Sequence, residues 1–292
     1  MISPIIFTIH IGSFSWSVHW YGVILMTATV IAAWIATREV RRRGEDGDHI
    51  WNAALWLIPA GVIGARLWFV VNATLGGSTL YIDQPLQILN IPAGGLHIFG
   101  GFLFGAIALI LYVRRYELDL WLFLDALAPT LLIGQALARP ANFINQELYG
   151  PPTTLPWGIL ISADHRLTAY SNLTIYPVAT THFHPTFAYE MIWNFLAAAL
   201  LFYLLYRFGS RLKPGAMFAG WLILAGTGRS FIEQFRPDQP KILGLGISYT
   251  TIASLLMALA GVLMLLWQYD FIHFNFLPAP PEEYEISTKK LV

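Results

Sequence analysis

The sequence predicts an all-α membrane protein that crosses the lipid bilayer about seven times. Only 12% of its 292 residues are charged and its mean hydropathy is +0.57, whereas a soluble domain carries roughly 25% charged residues. Several apolar stretches are long enough to cross roughly 30 Å of hydrocarbon as helices. Clusters of basic residues follow alternate stretches, which is the charge pattern of a polytopic protein.

Seven apolar stretches follow one another along the chain, and the third and sixth are shorter than the others. They are Val18–Thr37, Ile50–Val71, Ile98–Val113, Leu120–Ala138, Thr186–Tyr206, Gly215–Gly228 and Tyr249–Trp267. Arg139 precedes a proline, and because this arrangement disfavours helical geometry we expect the fourth span to end there. Residues 1–15 contain no Lys or Arg, unlike a secretory signal, so we expect the first span to be retained.

Basic residues orient these spans. Eleven Lys and Arg residues follow spans one, three and five or lie in the C-terminal tail, and five lie in the opposite loops. The positive-inside rule therefore places the N-terminus outside and the C-terminus in the cytoplasm.

Two segments differ in character from the spans. Residues 140–184, between spans four and five, are too many for a simple connector, so we expect a small extracytoplasmic cap there. Residues 1–277 are predicted to form a single transmembrane domain that includes this cap. Residues 278–292 begin with a Pro- and Glu-rich run and are predicted to be a disordered cytoplasmic tail.

The composition argues against several kinds of function. Basic and acidic residues balance at 17 each, so no overall basic field favours nucleic acid. The chain contains no cysteine, which excludes disulfides, thiolate metal sites and a thiol nucleophile of its own. Its eight histidines are scattered without metal-ligand spacing, and we expect neither a metal nor another cofactor.

Five polar clusters interrupt the apolar chain, and the predicted topology places all of them at the outer face. They are residues 19–22, 94–101, 139–147, 184–190 and 229–236. An ionisable group costs about 2.5–3.5 kcal/mol at the centre of a membrane helix, so several of them together indicate a site. An arginine just below the headgroups suits a lipid phosphate, because its planar fork pairs with two phosphate oxygens.

The arginines also have structural interpretations. Arg139 can snorkel to the interface or pair with Glu147. Arg229 can form a salt bridge with Glu233, because residues 229, 233 and 236 share one face of a continuous helix. Such an ion pair is compatible with a role in a site, since it orients the arginine.

The remaining clusters have similar alternatives. His19, Trp20 and Tyr21 are compatible with an aromatic belt that anchors the first span. The glycine pairs around His97 allow the backbone to approach a ligand or a neighbouring helix closely. Glu190, one and a half turns into the fifth span, can be a buried carboxylate whose hydrogen bonds are satisfied.

As a set, these residues resemble the bacterial prolipoprotein diacylglyceryl transferase family. The signature residues follow one another with the spacing of that family: Arg139, Asn142, Phe143, Ile144, Asn145, Glu147, Leu148, Tyr149 and Gly150. Further blocks occur in the order of the family: His19-Trp20-Tyr21-Gly22, Gly64-Ala65-Arg66, His184-Pro185-Thr186 with Tyr189-Glu190, and Gly228-Arg229 with Phe231, Glu233, Arg236 and Asp238. The resemblance extends from about His19 to Gly261.

The resemblance implies an enzyme that moves the diacylglyceryl group of phosphatidylglycerol onto a cysteine thiol. That cysteine lies in the lipobox of a prolipoprotein signal peptide, and the products are a thioether and glycerol phosphate. It also implies a multi-pass protein of the bacterial cytoplasmic membrane whose active site faces the outer leaflet. We expect it to act as a monomer.

The resemblance also implies roles for particular residues. The candidate catalytic residues are Tyr21, His97, Arg139, Glu147, Arg229 and Glu233. The candidate phosphatidylglycerol-binding residues are Arg66, Arg139, Asn142, Asn145, Gly150 and Arg236.

One position departs from the pattern of the family. Many members carry a histidine, proposed as a base, directly before the Gly-Gly pair that opens span three, and here Phe99 occupies that position. His97 lies two residues earlier, so it shares a face with residue 99 only where the backbone is extended. We therefore favour Glu147 or Glu233 as the acceptor of the thiol proton, or a thiol activated by nearby positive charge.

Two alternatives remain at the level of sequence. A lipid or anion transporter could use the same arginines, although transporters commonly show repeated halves with polar groups near the midplane. An inactive phospholipid-binding relative is the other alternative, because Phe99 replaces the histidine.

Overall fold

The computed structural model describes residues 3–12, 14–91, 94–237, 239, 241–242, 246–273 and 278–287. The chain divides into two compact units. Unit 1 contains Met1–Ile35 and Leu124–Glu283, and unit 2 contains Ala36–Phe123 and Tyr284–Val292.

The described part of the chain is mainly helical. Its α-helices are α1 (Trp20–Arg42), α2 (Asp48–Leu75), α3 (Leu80–Asp83), α4 (Ile98–Tyr116), α5 (Leu120–Ile144), α6 (Thr186–Phe208), α7 (Ala216–Glu233) and α8 (Tyr249–Gln268). Among the described residues, six helices are long and apolar enough to cross a membrane, namely all but α3 and α7. The polytopic all-α class is thereby confirmed, while the seventh span, at α7, stays a prediction.

The prediction that the fourth span ends at Arg139 is wrong. α5 continues through Pro140 to Ile144. Proline removes its own backbone donor and its ring crowds the preceding turn, but the helix continues beyond it: the next turn is held by the bond from Asn145 N to Ala141 O, 3.0 Å. Arg139 therefore lies inside the helix, about one turn before its end.

The helical core of unit 1 lies between α5, α6 and α7. It is built from small and branched side chains that are almost completely buried: Ala128, Leu132, Ala197, Ala198, Leu201, Leu205 and Met217. Asp125, also fully buried, accepts hydrogen bonds from Gly215 N (2.6 Å) and Phe218 N (2.8 Å). This carboxylate satisfies backbone donors at the start of α7 that a helix leaves unpaired.

Two short strands of unit 1 precede α1. Strands β1 (Ile5–Ile11) and β2 (Phe14–His19) form an antiparallel hairpin.

Unit 1 also contains a small folded module between α5 and α6. Strands β3 (Pro152–Thr153), β4 (Ile159–Leu160) and β5 (His182–Phe183) form a sheet with β5 in the centre. Its apolar core consists of Tyr149, Ile161, Tyr170 and Phe183. This module corresponds to the predicted cap, and its extracytoplasmic position stays a prediction.

Arg166 fastens this module from within. Its guanidinium lies 4.3 Å from the centre of the Phe183 ring, and its Nε donates to Ile161 O at 2.9 Å. Burial lowers the pKa of Arg166, and burial likewise raises the pKa of the Tyr170 phenol.

In unit 2, α2 and α4 pack closely at two glycines. A Cβ atom on Gly64 would overlap the carbonyl oxygen of Gly100 and the Cβ of Phe104, and a Cβ on Gly100 would overlap the Gly64 carbonyl. The two glycine pairs around His97 were expected to permit close approach of the backbone to a ligand or to a neighbouring helix. For Gly100, the contact observed is with a helix.

The last described segment contributes backbone hydrogen bonds to unit 2. Glu285 N donates to Asp119 Oδ2 and Ser287 N donates to Glu45 Oε2, each at 2.9 Å. Residues 288–292 of the predicted tail lie outside the described part of the chain. The predicted disorder of residues 278–292 stays a prediction. The single domain predicted over residues 1–277 also stays a prediction.

Candidate active site

Two arginines from different helices of unit 1 meet at one carboxylate. Arg139 Nη2, on α5, donates to Glu190 Oε1 on α6, and Arg229 Nη1, on α7, lies 3.4 Å from Glu190 Oε2. The side chains of Arg139, Glu190 and Arg229 are 19%, 13% and 25% exposed. The contacts join the end of α5, the start of α6 and the end of α7, as expected when successive helices run antiparallel.

An amide network continues from Arg139 to Glu147. Arg139 Nη1 donates to Asn142 Oδ1 (3.3 Å), and Asn142 Nδ2 donates to Glu147 Oε1 (2.8 Å). Asn145 Nδ2 reaches the same oxygen at 3.5 Å. The suggested direct pair between Arg139 and Glu147 is replaced by a connection through Asn142, which is 4% exposed.

Glu233 is the second carboxylate of the cluster. Its side chain is 1% exposed, and Oε2 lies 3.1 Å from Arg229 Nη2. Its other oxygen, Oε1, accepts a hydrogen bond of 3.1 Å from Ser248 Oγ at the start of α8. The ion pair that the i, i+4 spacing suggested is confirmed, and a buried hydroxyl holds its acidic member.

A polar cavity of about 160 Å³ opens beside Glu233. Arg236, Lys241, Ser248 and Thr251 also line it. Arg236 was predicted to share a helical face with Arg229, but α7 ends at Glu233, so Arg236 lies in the following turn. Asp238, close by in sequence, lies outside the described residues.

Gly150 lies where three segments of unit 1 come together. Its N–H donates to His184 O at 2.8 Å. A Cβ atom at this position would lie 2.7 Å from Phe235 O and 2.9 Å from a methyl group of Thr186. The absence of a side chain is therefore required for packing, and a contact with phosphatidylglycerol stays a prediction.

Two predicted site residues belong to unit 2. Arg66 is 6% exposed and donates to the backbone carbonyls of Gln87, Ile88, Gly94 and Gly95 at 2.5–3.0 Å. These bonds hold the loop before α4, and a contact between Arg66 and a phosphate stays a prediction.

His97 immediately precedes α4. Its backbone is extended (φ −116°, ψ 124°), and its ring stacks on that of Phe99 with centres 5.4 Å apart. Its Nδ1 is buried and has no hydrogen-bond partner among the described residues. Only His97 is extended, because α4 begins at Ile98, so the extended segment that the sequence argument required is not present; the stacked rings alone place His97 beside Phe99.

Tyr21 is the second residue of α1, in unit 1, and is 42% exposed. Its predicted catalytic role stays a prediction.

Sequence reasoning did not include Glu190 and Ser248 among the site residues. For Glu190 a signal was present, because a carboxylate inside an apolar span is costly and needs a partner. Ser248 gave only the signal of a helix N-cap before the apolar run of α8. Its bond to Glu233 joins residues 15 apart in sequence, which local patterns do not reveal.

The chain was compared with known proteins. The model of the family described as prolipoprotein diacylglyceryl transferase matches residues 4–267. Three relatives that carry the name phosphatidylglycerol–prolipoprotein diacylglyceryl transferase illustrate the similarity. The Chloroflexus aggregans protein is 37% identical over 78% of this chain and 76% of its own length. The Synechococcus elongatus protein is 37% identical over 87% and 84%, and the Bifidobacterium longum protein 34% over 92% and 85%.

The family match covers far more than half of the chain, and it includes every residue of the arginine and carboxylate cluster. The resemblance inferred from the signature residues is thereby confirmed. The chain belongs to the prolipoprotein diacylglyceryl transferase family.

Proposed function

We propose that this protein is a transferase that moves the diacylglyceryl group of phosphatidylglycerol onto the thiol of a prolipoprotein cysteine. The observation that carries the proposal is the meeting of Arg139 and Arg229 at Glu190, in a chain that belongs to this family of transferases. Two fixed guanidiniums in a site that is mostly shielded from water form an anion-binding arrangement of the kind a phosphate ester needs.

The chemistry explains why two cations are useful. The thiol sulfur attacks the glyceryl carbon that bears the phosphate oxygen, so that an S–C bond forms and the C–O bond breaks. The electron pair of that bond leaves with the phosphate, whose charge grows from about −1 to about −2 as glycerol phosphate departs. Arg139 and Arg229 stabilise this growing charge, and such preorganised stabilisation is commonly the largest single contribution to catalysis.

The thiol proton has to pass to a base. Glu233 is 1% exposed and both of its oxygens are engaged, by Ser248 and Arg229. Glu147 is less buried, and its recorded partners are the neutral amides of Asn142 and Asn145. We therefore assign the proton acceptor to Glu147 and the orientation of Arg229 to Glu233.

This assignment predicts a limited role for His97. A general base contributes about 10²–10⁴-fold to a rate, so His97→Gln should reduce kcat by less than about tenfold if Glu147 accepts the proton. Phe99→His, which restores the histidine of the family pattern, serves as the matched comparison in the same assay. If His97→Gln lowers kcat a hundredfold, and the double variant His97→Gln/Phe99→His recovers the wild-type kcat, a histidine is the base.

The finer features of the proposal follow from the family resemblance and from the predicted topology. The acceptor cysteine lies in a lipobox, the enzyme acts as a monomer, and the cluster faces the outer leaflet of the bacterial cytoplasmic membrane. Asn142, Asn145, Gly150 and Arg236 of unit 1 bind the lipid headgroup. Arg66 of unit 2 is a separate candidate for a contact with the lipid phosphate. The polar cavity beside Glu233 and Arg236 is suitable for the glycerol portion of that headgroup, and Tyr21 contributes from the start of α1.

The activity can be tested directly. Purified protein in nanodiscs with phosphatidylglycerol, mixed with a lipobox peptide, should form a diacylglyceryl thioether that mass spectrometry detects by its added mass. Arg139→Ala should form no adduct, and a peptide with serine in place of cysteine controls for the thiol. If the folded wild-type protein moves phospholipid between the two leaflets but forms no thioether with the peptide, the transporter alternative replaces this proposal. Phosphatidylglycerol binding without turnover would favour the inactive relative.

A further inference from the structure

Glu190 places an anion where the proposed mechanism requires a phosphate. One carboxylate oxygen contacts Arg139 Nη2, and the other lies 3.4 Å from Arg229 Nη1. Carboxylate and phosphate oxygens are alike in accepting hydrogen bonds from a guanidinium fork. The same N–H groups cannot serve both acceptors fully, so the carboxylate and a phosphate compete.

The charges of the cluster make this competition consequential. Arg139 and Arg229 contribute two positive charges, and Glu190 and Glu233 contribute two negative charges when all four are ionised. A phosphate that enters with Glu190 in place adds a like charge to the site, and like charges close together repel. Once Glu190 has yielded its contacts, Arg229 still pairs with Glu233, but Arg139 is left with the neutral amide of Asn142. A buried cation without an anionic partner is costly, so the vacated site favours another anion.

Release of the product poses the opposite problem. Glycerol phosphate leaves with a larger negative charge than the phosphodiester carried on entry, so Arg139 and Arg229 hold the product more strongly than the substrate. Tight binding of the product slows turnover. A tethered carboxylate has a high effective concentration at these arginines, and it can take over their hydrogen bonds as the product departs.

We propose that Glu190 is a positioning residue that acts as an internal competitor for the phosphate site, yielding Arg139 and Arg229 to phosphatidylglycerol and reclaiming them as glycerol phosphate leaves. This inference rests on the proposed function for the identity of the lipid and the product. Glu190 takes no part in bond making: the S–C bond forms, the C–O bond breaks and the proton leaves as described above.

The decisive variant is Glu190→Gln, which keeps the size of the side chain and removes its charge. Isothermal titration of glycerol phosphate into the full-length protein in nanodiscs should give a Kd about tenfold lower than that of wild type. In the transfer assay, KM for phosphatidylglycerol and kcat should both fall, and added glycerol phosphate should inhibit at lower concentration. If Glu190 merely held the arginines in place, its loss would weaken phosphate binding and raise KM. A Kd that is unchanged or higher overturns the proposal.

Two further variants separate this effect from general ones. Asp164→Asn removes an exposed carboxylate of the small module between α5 and α6, and it should leave the Kd for glycerol phosphate within twofold of wild type. Glu190→Asp keeps the charge on a shorter side chain and should give a Kd between those of wild type and Glu190→Gln. An equal gain in affinity for Asp164→Asn would attribute the effect to bulk charge and overturn the proposal.

Direct binding also keeps this inference separate from the transferase activity. If wild type forms no thioether but Glu190→Gln binds glycerol phosphate more tightly, the competition is supported and the proposed reaction fails. If wild type forms the thioether but Glu190→Gln binds more weakly, the reaction stands and the competition is refuted. Thermal unfolding of each variant identifies a folding defect. If Glu190→Gln does not fold, Glu190→Asp takes its place, and a Kd for glycerol phosphate that is not lower than that of wild type then overturns the proposal.

Discussion

Replacing Arg139 with lysine should reduce diacylglyceryl transfer by at least about 100-fold, although the positive charge is kept. The Arg139 guanidinium contacts Glu190 and Asn142 through different nitrogens, and an ammonium group is a point charge that cannot reproduce this fork. Removal of one preorganised donor to a developing oxyanion commonly costs 10²–10³-fold in kcat. The measurement is the initial rate of thioether formation with a lipobox peptide.

A matched control for this substitution is available on α4. Arg114 is an exposed arginine near the C-terminal end of that helix, and Arg114→Lys should leave the rate within twofold of wild type. Arg139→Lys should also unfold close to the wild-type temperature, because the charge remains beside Glu190. A rate within tenfold of wild type for Arg139→Lys would show that only charge, and no fork geometry, is needed at this position.

Replacing Gly64 with alanine should destabilise unit 2 by about 2–3 kcal/mol. The added Cβ would overlap the Gly100 carbonyl oxygen and the Cβ of Phe104. A backbone carbonyl cannot rotate away as a flexible side chain does, so α2 and α4 must separate, and overpacking commonly costs about 1–3 kcal/mol. Thermal unfolding in detergent, followed by the loss of folded protein in size-exclusion chromatography, measures the effect.

Gly105 on the same helix α4 is the natural comparison. A Cβ there would meet nothing within 4 Å. Gly105→Ala should therefore be neutral or should stabilise the protein by up to about 1 kcal/mol, because alanine favours the helix over glycine. If both alanine variants unfold at the same temperature, close packing at Gly64 does not limit stability.

Much of the helical framework could be predicted from the sequence. The predicted starts of the apolar runs at Ile98, Leu120, Thr186 and Tyr249 coincide with the first residues of α4, α5, α6 and α8. The physical reason is that a membrane span needs a long apolar run, and its length is set by the thickness of the hydrocarbon. The error at Arg139 arose because a local preference before proline was given more weight than the continuing hydrogen bonds of the helix.

The candidate site was harder to predict, because its partners come from different helices. Sequence spacing identified the pair of Arg229 and Glu233, which lie one turn apart on α7. No spacing rule pairs Arg139 with Glu190, which is 51 residues away. The partners of Arg66, which are carbonyls 21–29 residues away, likewise follow from no spacing rule. Its contact with a phosphate, which the resemblance implies, stays a prediction.

α7 is fastened at both ends by hydrogen bonds to other helices. At one end Asp125 of α5 binds Gly215 N and Phe218 N, and at the other Glu233 accepts a hydrogen bond from Ser248 Oγ at the start of α8. A helix held at both ends resists sliding along its axis, so we expect the backbone of Arg229 to stay in place when a headgroup departs. We therefore expect lipids to diffuse laterally toward and away from α7, and the rate of transfer to depend on membrane fluidity more than on movement of this helix.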